Sequence, residues 1–387
     1  MNKTIIHNIG TIVTGDYEKP VAEGDAICVD GGKIVFVGWK ADAPKLDYTV
    51  DIDAVGLTVC PGLIDANTHP PLANYLPLYK AYDWVDNYAG AGVAGMVSTG
   101  GFAFPGAAAD APSAKAQAVF GKYMWDHYHP SFVKVHDECV MLQHGLTEAD
   151  FAELAAAGIR VVGEIGLSAV KAPAEAARLA GLAKKHGFTV TLHAAAPVSA
   201  DGVAYTLDEI EQINPDVLCC LNGDPTPLKE DWVKRLVQSG KYWFDCVSNG
   251  NETLLIKIAA WAKEAGTLGK MMLGTNVPSM SGFSPMGLWI QMAALAQNAE
   301  VDPAVAVAMG SGNVARRYGL EHGILAPNMA ADFMFASTGS IMPDMLSTIS
   351  YGRAPSVAGT YINGEAGLAN CKNMAPPKKR PVVASLA

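Results

Sequence analysis

Pro61-Gly62-Leu63-Ile64-Asp65-Ala66-Asn67-Thr68-His69-Pro70 is the stretch on which the reading of this chain turns. An apolar run leaves a Pro-Gly turn, delivers Asn67 and His69 two residues apart, and stops at Pro70-Pro71. Residues i and i+2 of a strand share a face. Asn67 and His69 are therefore expected to point the same way from one strand end.

Working outward, similar apolar runs recur downstream. They cover residues 58–67, 94–100, 131–137, 159–166, 188–194, 216–223, 242–248 and 270–276, with helical segments between the later ones. Thr147 and Asp150 mark a helix start that should run to Gly158. Pro173 opens another that stops at His186-Gly187, and Asn251 one that ends at Gly266. Residues 287–298 read as the eighth helix and 303–318 as an extra one. Alternating strands and helices specify an α/β fold with a parallel sheet. Eight units specify a (β/α)8 TIM-like barrel over residues 58–319. Residues 1–57 read differently, as short strands with a hairpin at Asp30-Gly31-Gly32. Residues 320–370 return to that pattern. The two ends are expected to form one small discontinuous β-sandwich domain, with 371–387 as a solvated tail. There is no internal repeat and no long linker.

Composition narrows the function classes. Half of the 387 residues are hydrophobic and 17% are charged, which suits a large buried interior. A net charge of −10 excludes nucleic acid as the expected partner, because phosphate binding needs a basic face. The densest basic cluster is Lys378-Lys379-Arg380 in the tail. No apolar run reaches the roughly 18 residues of a membrane span. The N-terminus lacks the pattern of a secretory signal. Seven cysteines without a C-x-x-C spacing fit a reduced, cytoplasmic protein.

Most of the eight runs end in polar residues: Asn67 and His69, Lys134 and His136, Glu164, His193, Cys219 or Cys220 with Asn222, Asp245, and Asn276. In a barrel these ends converge on one rim. His127 and His129 repeat the H-x-H spacing but fall at a helix end, where i and i+2 do not face each other; they read as surface residues. Residues 100–111 read as a loop over the mouth. Met271, Met272 and Met280 read as core.

The motif Pro-Gly-Leu-Ile-Asp-x-x-x-His resembles the opening signature of the metal-dependent amidohydrolase superfamily, and the whole chain is similar to its cyclic-enamide hydrolases. The segment from Gly323 to Phe333 resembles the one by which these proteins re-enter their β-domain. The resemblance implies a hydrolase of a cyclic amide or enamide C–N bond, a small-molecule substrate and a homo-oligomer. It also implies ligands on particular strands: two histidines on the first, a bridging carboxylate or lysine on the fourth, histidines on the fifth and sixth, and an aspartate on the eighth that is also the base. His69, Glu164 and His193 match this pattern. Asn67, Cys220 and Asn276 replace two histidines and the aspartate. What survives is a mononuclear set of His69, Glu164, His193 and Cys220 for one zinc or iron, with Cys219 as the alternative cysteine. Asn276 cannot take a proton near neutral pH. His136 is the strand-end imidazole expected to act with it, and Asn67, Lys134 and Asn222 are expected to bind substrate. The three substitutions also support a second reading, a metal-poor non-hydrolytic homologue paired with an active paralogue.

Overall fold

The computed structural model describes residues 2–71, 73–76, 80–100, 108–197, 202–223, 226–278, 282–367 and 371–386. Between Leu63 and Gly274 parallel strands alternate with helices, interrupted by a short antiparallel pair, Tyr75–Leu76 with Ala81–Tyr82, so the α/β class holds. Eight strands succeed one another: β1 Leu63–Thr68, β2 Val93–Ser98, β3 Lys134–His136, β4 Val161–Ile165, β5 Thr189–His193, β6 Val217–Cys219, β7 Trp243–Val247 and β8 Met271–Gly274. The order β3-β2-β1 forms one parallel sheet. Cys139–Val140, just past β3, opens a second, which continues through β4 to β8 in chain order. These strands are near-continuous apolar runs because both faces are covered, as parallel sheets require; all five residues of β4 are buried.

Two seams join the sheets at the carboxyl ends of their strands. Asn276 N–H donates to the Asn67 carbonyl at 2.9 Å, and His69 N–H donates to the Val277 carbonyl at 2.7 Å. Glu164 N–H donates to the Thr99 carbonyl at 2.7 Å. The ends of β1, β2, β4 and β8 are thus held together by backbone.

The first apolar run is divided. Thr58–Pro61 pairs with Phe333–Ser337 and Thr11–Val13, in a sheet drawn from both chain ends. β1 starts only after Gly62, where a Cβ would stand 2.3 Å from that of Ala94. The terminal segments build two sheets of five and six strands that share a core of Ile6, Ile12, Ile27, Val59, Phe333 and Phe335. Asp30-Gly31-Gly32-Lys33 is the expected hairpin, with positive φ at both glycines and Asp30 facing Lys33. The tail departs from expectation. Val382–Ser385 pairs antiparallel with Val50–Asp53, because Val382-Val383 favours extended chain and that strand had an open edge.

The helices expected at Thr147 and Asn251 start at residues whose side chains cap them, and Pro173 opens Pro173–Lys185. Thr147 caps Glu148–Ala156 with a reciprocal Asp150 bond, and Asn251 caps Glu252–Ala265, which Gly266 ends in the left-handed conformation. The extra helix is instead two, Pro303–Met309 and Gly312–Tyr318. His127 and His129 are exposed, the former ending a helix. Met271 and Met272 are buried. Residues 101–107 of the expected loop, and Met280, lie outside the described residues. Among the described residues no helix is long and apolar enough to cross a membrane.

β3 departs most from expectation. It pairs with Gly95–Val97, below the level of Thr99, and the chain then continues into Cys139–Val140 against the start of β4. Lys134 and His136 are therefore not at the carboxyl rim. They face the β-domain junction, where Lys134 forms an ion pair with Asp332, a residue only 1% exposed, and His136 Nε2 meets His322 Nε2 at 2.9 Å. The Asp332 carbonyl also accepts from Gly62 N–H, at the entry of β1. Removing Lys134 leaves the Asp332 carboxylate buried without its cation. Lys134→Met should therefore destabilise the fold by about 3 kcal/mol, measured by urea unfolding, the low end for a buried pair because Lys134 keeps 22% exposure.

The histidine pair adds a pH dependence. Burial, and then the positive charge of Lys134 nearby, push His322 down to about 3. His136 is pushed equally far by burial, His322 and Lys134. Both are neutral when folded, whereas an unfolded histidine takes a proton near pH 6.5. Their contribution is complete above pH 6.5 and is lost as pH falls from there toward 3, by up to about 1.4 kcal/mol per histidine per pH unit. His136→Leu should flatten this acid limb in unfolding midpoints measured between pH 7.5 and 4.5.

Candidate metal centre

Glu164 lies next to last in β4, inside Val161-Val162-Gly163-Glu164-Ile165, and is fully buried. His193 closes the adjacent β5, and its Nδ1 meets Glu164 Oε2 at 2.8 Å. Thr99 Oγ1, just beyond β2, donates toward Glu164 Oε1 at 3.0 Å. Burial alone would raise the Glu164 carboxyl. The His193 hydrogen bond and the charges of His193 and His69 outweigh it and hold the carboxyl below its usual range. A carboxylate so placed is ionised at neutral pH.

Cys220 follows β6 directly and has φ +56, the left-handed region. A residue with a Cβ is held there at a cost of about 1–2 kcal/mol, so neighbouring contacts must enforce it. One is visible: Cys220 N–H donates to Asp245 Oδ1 at 2.8 Å. The turn brings the Cys220 thiol to Glu164 and His193. Donor atoms of these three buried residues all lie within 4.8 Å of one another. Cys219 instead packs with Ile64, Ala66, Val97 and Met272. Of the two cysteines, Cys220 is the one in the cluster.

Asn67 and Asn276 both face this region. Asn67 Oδ1 lies 2.8 Å from Thr99 Oγ1 and competes with Glu164 for its one proton, and Asn67 Nδ2 points to Cys220 Sγ at 3.5 Å and to both Asp245 oxygens at 3.4 Å. Asn276 Oδ1 accepts from His69 Nε2 at 2.7 Å. His69 Nε2 lies 4.0 Å from Glu164 Oε1, so His69 borders the cluster but is outside the three-donor set. Asp65, pushed up to about 7 by burial, accepts from Asn67 N–H at 3.2 Å and from the N–H and hydroxyl of Thr275. It ties the turn after β1 to the turn after β8.

Three expected site residues are not brought here. Lys134 and His136 are at the β-domain junction, because β3 pairs with Gly95–Val97 and stops short of the level of Thr99. Asn222 is buried but occupied: its Oδ1 accepts from Val247 N–H at 2.8 Å and its Nδ2 donates to the Val247 carbonyl at 3.0 Å. It pins β6 to β7. Two site residues were not assigned from sequence. Thr99 gave no signal beyond its place after an apolar run. Asp245 did, as a lone carboxylate in Trp243-Phe244-Asp245-Cys246-Val247. It is fully buried, and burial followed by the nearby Glu164 charge pushes it up to about 7.

Carboxylate, imidazole and thiol are ligands that zinc and iron accept, and two of them are anionic when bound. The set therefore fits one divalent cation.

No family model matches the chain. It is 36% identical to the enamidase of Eubacterium barkeri over 382 residues, covering 98% of this chain and 99% of that protein. It is also 36% identical to the imidazolonepropionase of Paenarthrobacter aurescens strain TC1, but over only 98 residues, 23% of that protein. Among solved structures, an enamidase described as a member of the amidohydrolase superfamily matches with TM-score 0.94 over 99% of this chain and all of that one. A beta-aspartyl dipeptidase of Fervidobacterium islandicum AW-1 shares the fold at TM-score 0.65 and 15% identity. The chain belongs to the amidohydrolase superfamily, in the family of the Eubacterium barkeri enamidase.

Proposed function

We propose that this protein hydrolyses the C–N bond of a cyclic amide or enamide, using one divalent ion held by Glu164, His193 and Cys220. The observation that carries the proposal is the buried convergence of these three donors, from strands β4, β5 and β6, within 4.8 Å. Full-length similarity to an enamidase supports the substrate class. The two seams at the strand ends support a closed (β/α)8 barrel, flanked by a discontinuous β-sandwich domain from both termini whose first boundary falls at Gly62.

When bound, such an ion lowers the pKa of water to about 7 and polarises the scissile carbonyl. The chain supplies the rest. Thr99 and His193 orient Glu164 by bonds to its two oxygens. Asn276 holds His69 through Nε2, so the imidazole stays turned toward Glu164. Asn276 orients and does not take a proton. His69 is the ionisable group here that keeps some exposure, 16% of its side chain, and is placed to pass a proton to solvent. The metal-poor reading has less support, since a buried thiol, carboxylate and imidazole have no need to meet in a protein that holds no ion.

A panel of six-membered cyclic enamides and lactams, offered to the full chain with zinc or iron, tests the proposal. Ring opening to a carboxylate, lost on chelation and regained with metal, is the expected result. Metal-loaded protein that opens no ring on the panel would count against the assigned reaction.

A further inference from the structure

Within that reading of the site, we infer that Asp245 is the positioning residue that aims Cys220 at Glu164 and His193, with Asn67 as the bridge between carboxylate and sulfur. Asp245 is fully buried on β7 and touches Cys220 along two routes. The first is direct: Asp245 Oδ1 accepts from Cys220 N–H at 2.8 Å. That bond falls on the residue whose φ of +56 needs an external restraint. The second runs through Asn67. Its single NH2 group lies 3.4 Å from each Asp245 oxygen and 3.5 Å from Cys220 Sγ.

The amide oxygen faces the Thr99 hydroxyl at 2.8 Å, on the side away from Asp245 and Cys220, and the NH2 faces those two residues. An amide has two N–H donors, one for a carboxylate and one for sulfur. Asp245 thereby sets the backbone of Cys220 and, through Asn67, the direction of its sulfur, without touching a substrate. Groups of this kind typically tune metal affinity by about 10–100-fold.

The test uses the full chain with cobalt(II) as a probe and zinc in competition. Wild type should bind about one cobalt and show a sulfur-to-cobalt charge-transfer band. Asp245→Asn keeps the shape and an oxygen for Cys220 N–H, but sets an NH2 against that of Asn67. It should bind about 10–100-fold more weakly and lose intensity in the charge-transfer band relative to the d–d bands. A merely structural role would change stability and leave that ratio alone. Asn67→Ala should weaken binding in the same range, and the double variant should be no weaker than the worse single one. If Asp245→Asn does not fold, Asn67→Ala decides by the same two readouts. Variants with wild-type affinity and an unchanged band overturn the inference while leaving the metal site standing. A wild type that binds cobalt without the band removes Cys220 as a ligand, and this inference with it. A wild type that binds no cobalt overturns the metal reading itself.

Discussion

Glu164→Gln protein should fold and yet hold its metal more than 100-fold more weakly than wild type, and ring-opening activity should fall with it. The substitution is close to isosteric. The amide oxygen can still accept from His193 Nδ1–H, and the Thr99 hydroxyl can turn to accept from the new NH2. What disappears is one of only two anionic donors in the set, at a position that is fully buried and where water cannot substitute for the charge. The expected loss exceeds the roughly 10–100-fold attached to outer groups that only orient ligands. Stability should change by less than about 2 kcal/mol, since the hydrogen bonds are largely kept. Equilibrium dialysis against a zinc buffer, beside a urea melt of the apo protein, separates the two effects. Full retention of zinc in this variant would remove Glu164 from the ligand set.

The second large effect runs in the opposite direction. Asn276→Asp should raise turnover by about 10²–10⁴-fold, the contribution of a placed general base. Asn276 stands where the family resemblance implies a base: its Oδ1 is 2.7 Å from His69 Nε2, and the turn that carries it is fixed to the Asn67 carbonyl by a 2.9 Å backbone bond. Its φ of +55 is well tolerated by asparagine and by aspartate alike, so the backbone need not move. A carboxylate there accepts from His69 as the amide oxygen does, and in addition takes a proton. The pH–rate profile should acquire a new acid limb, activity falling as the carboxyl protonates. Turnover unchanged from wild type, with metal still bound, would mean that proton removal does not pass through the end of β8.

The sequence shows the class of fold because periodicity reports burial. The apolar runs that became β1 to β8 had to be covered on both faces, and the helices between them carried readable caps at Thr147, Asn251 and Gly266. What it does not show is where a strand stops relative to its neighbours. Lys134 and His136 looked like a strand end, but only pairing with Gly95–Val97 reveals that they stand low, beside Asp332 and His322. Gly62 is similar: its role as the break between two sheets depends on Ala94, which is distant in sequence. The tail strand at Val382–Ser385 needed a partner edge that no local pattern announces.

The site divides along the same line. Glu164 and His193 were legible because a charged or titratable residue at the end of a buried run must be satisfied by something. Choosing Cys220 over Cys219 needed the left-handed turn after β6, which no propensity foretells for cysteine. Asn222 carried the right residue type but spends its amide on the Val247 backbone. Asp245 was visible as an isolated acid in an apolar strand. Only its contacts with Cys220 and Asn67 give it a place.

In the proposed function one ion is held jointly by the Glu164 carboxylate, the His193 imidazole and the Cys220 thiolate. X-ray absorption at the zinc edge of the loaded, full-length protein reads it most directly. The expected spectrum has one sulfur neighbour at about 2.3 Å with nitrogen and oxygen neighbours at about 2.0 Å. A spectrum with no sulfur, or with zinc bound only through a hydrated surface shell, would contradict it.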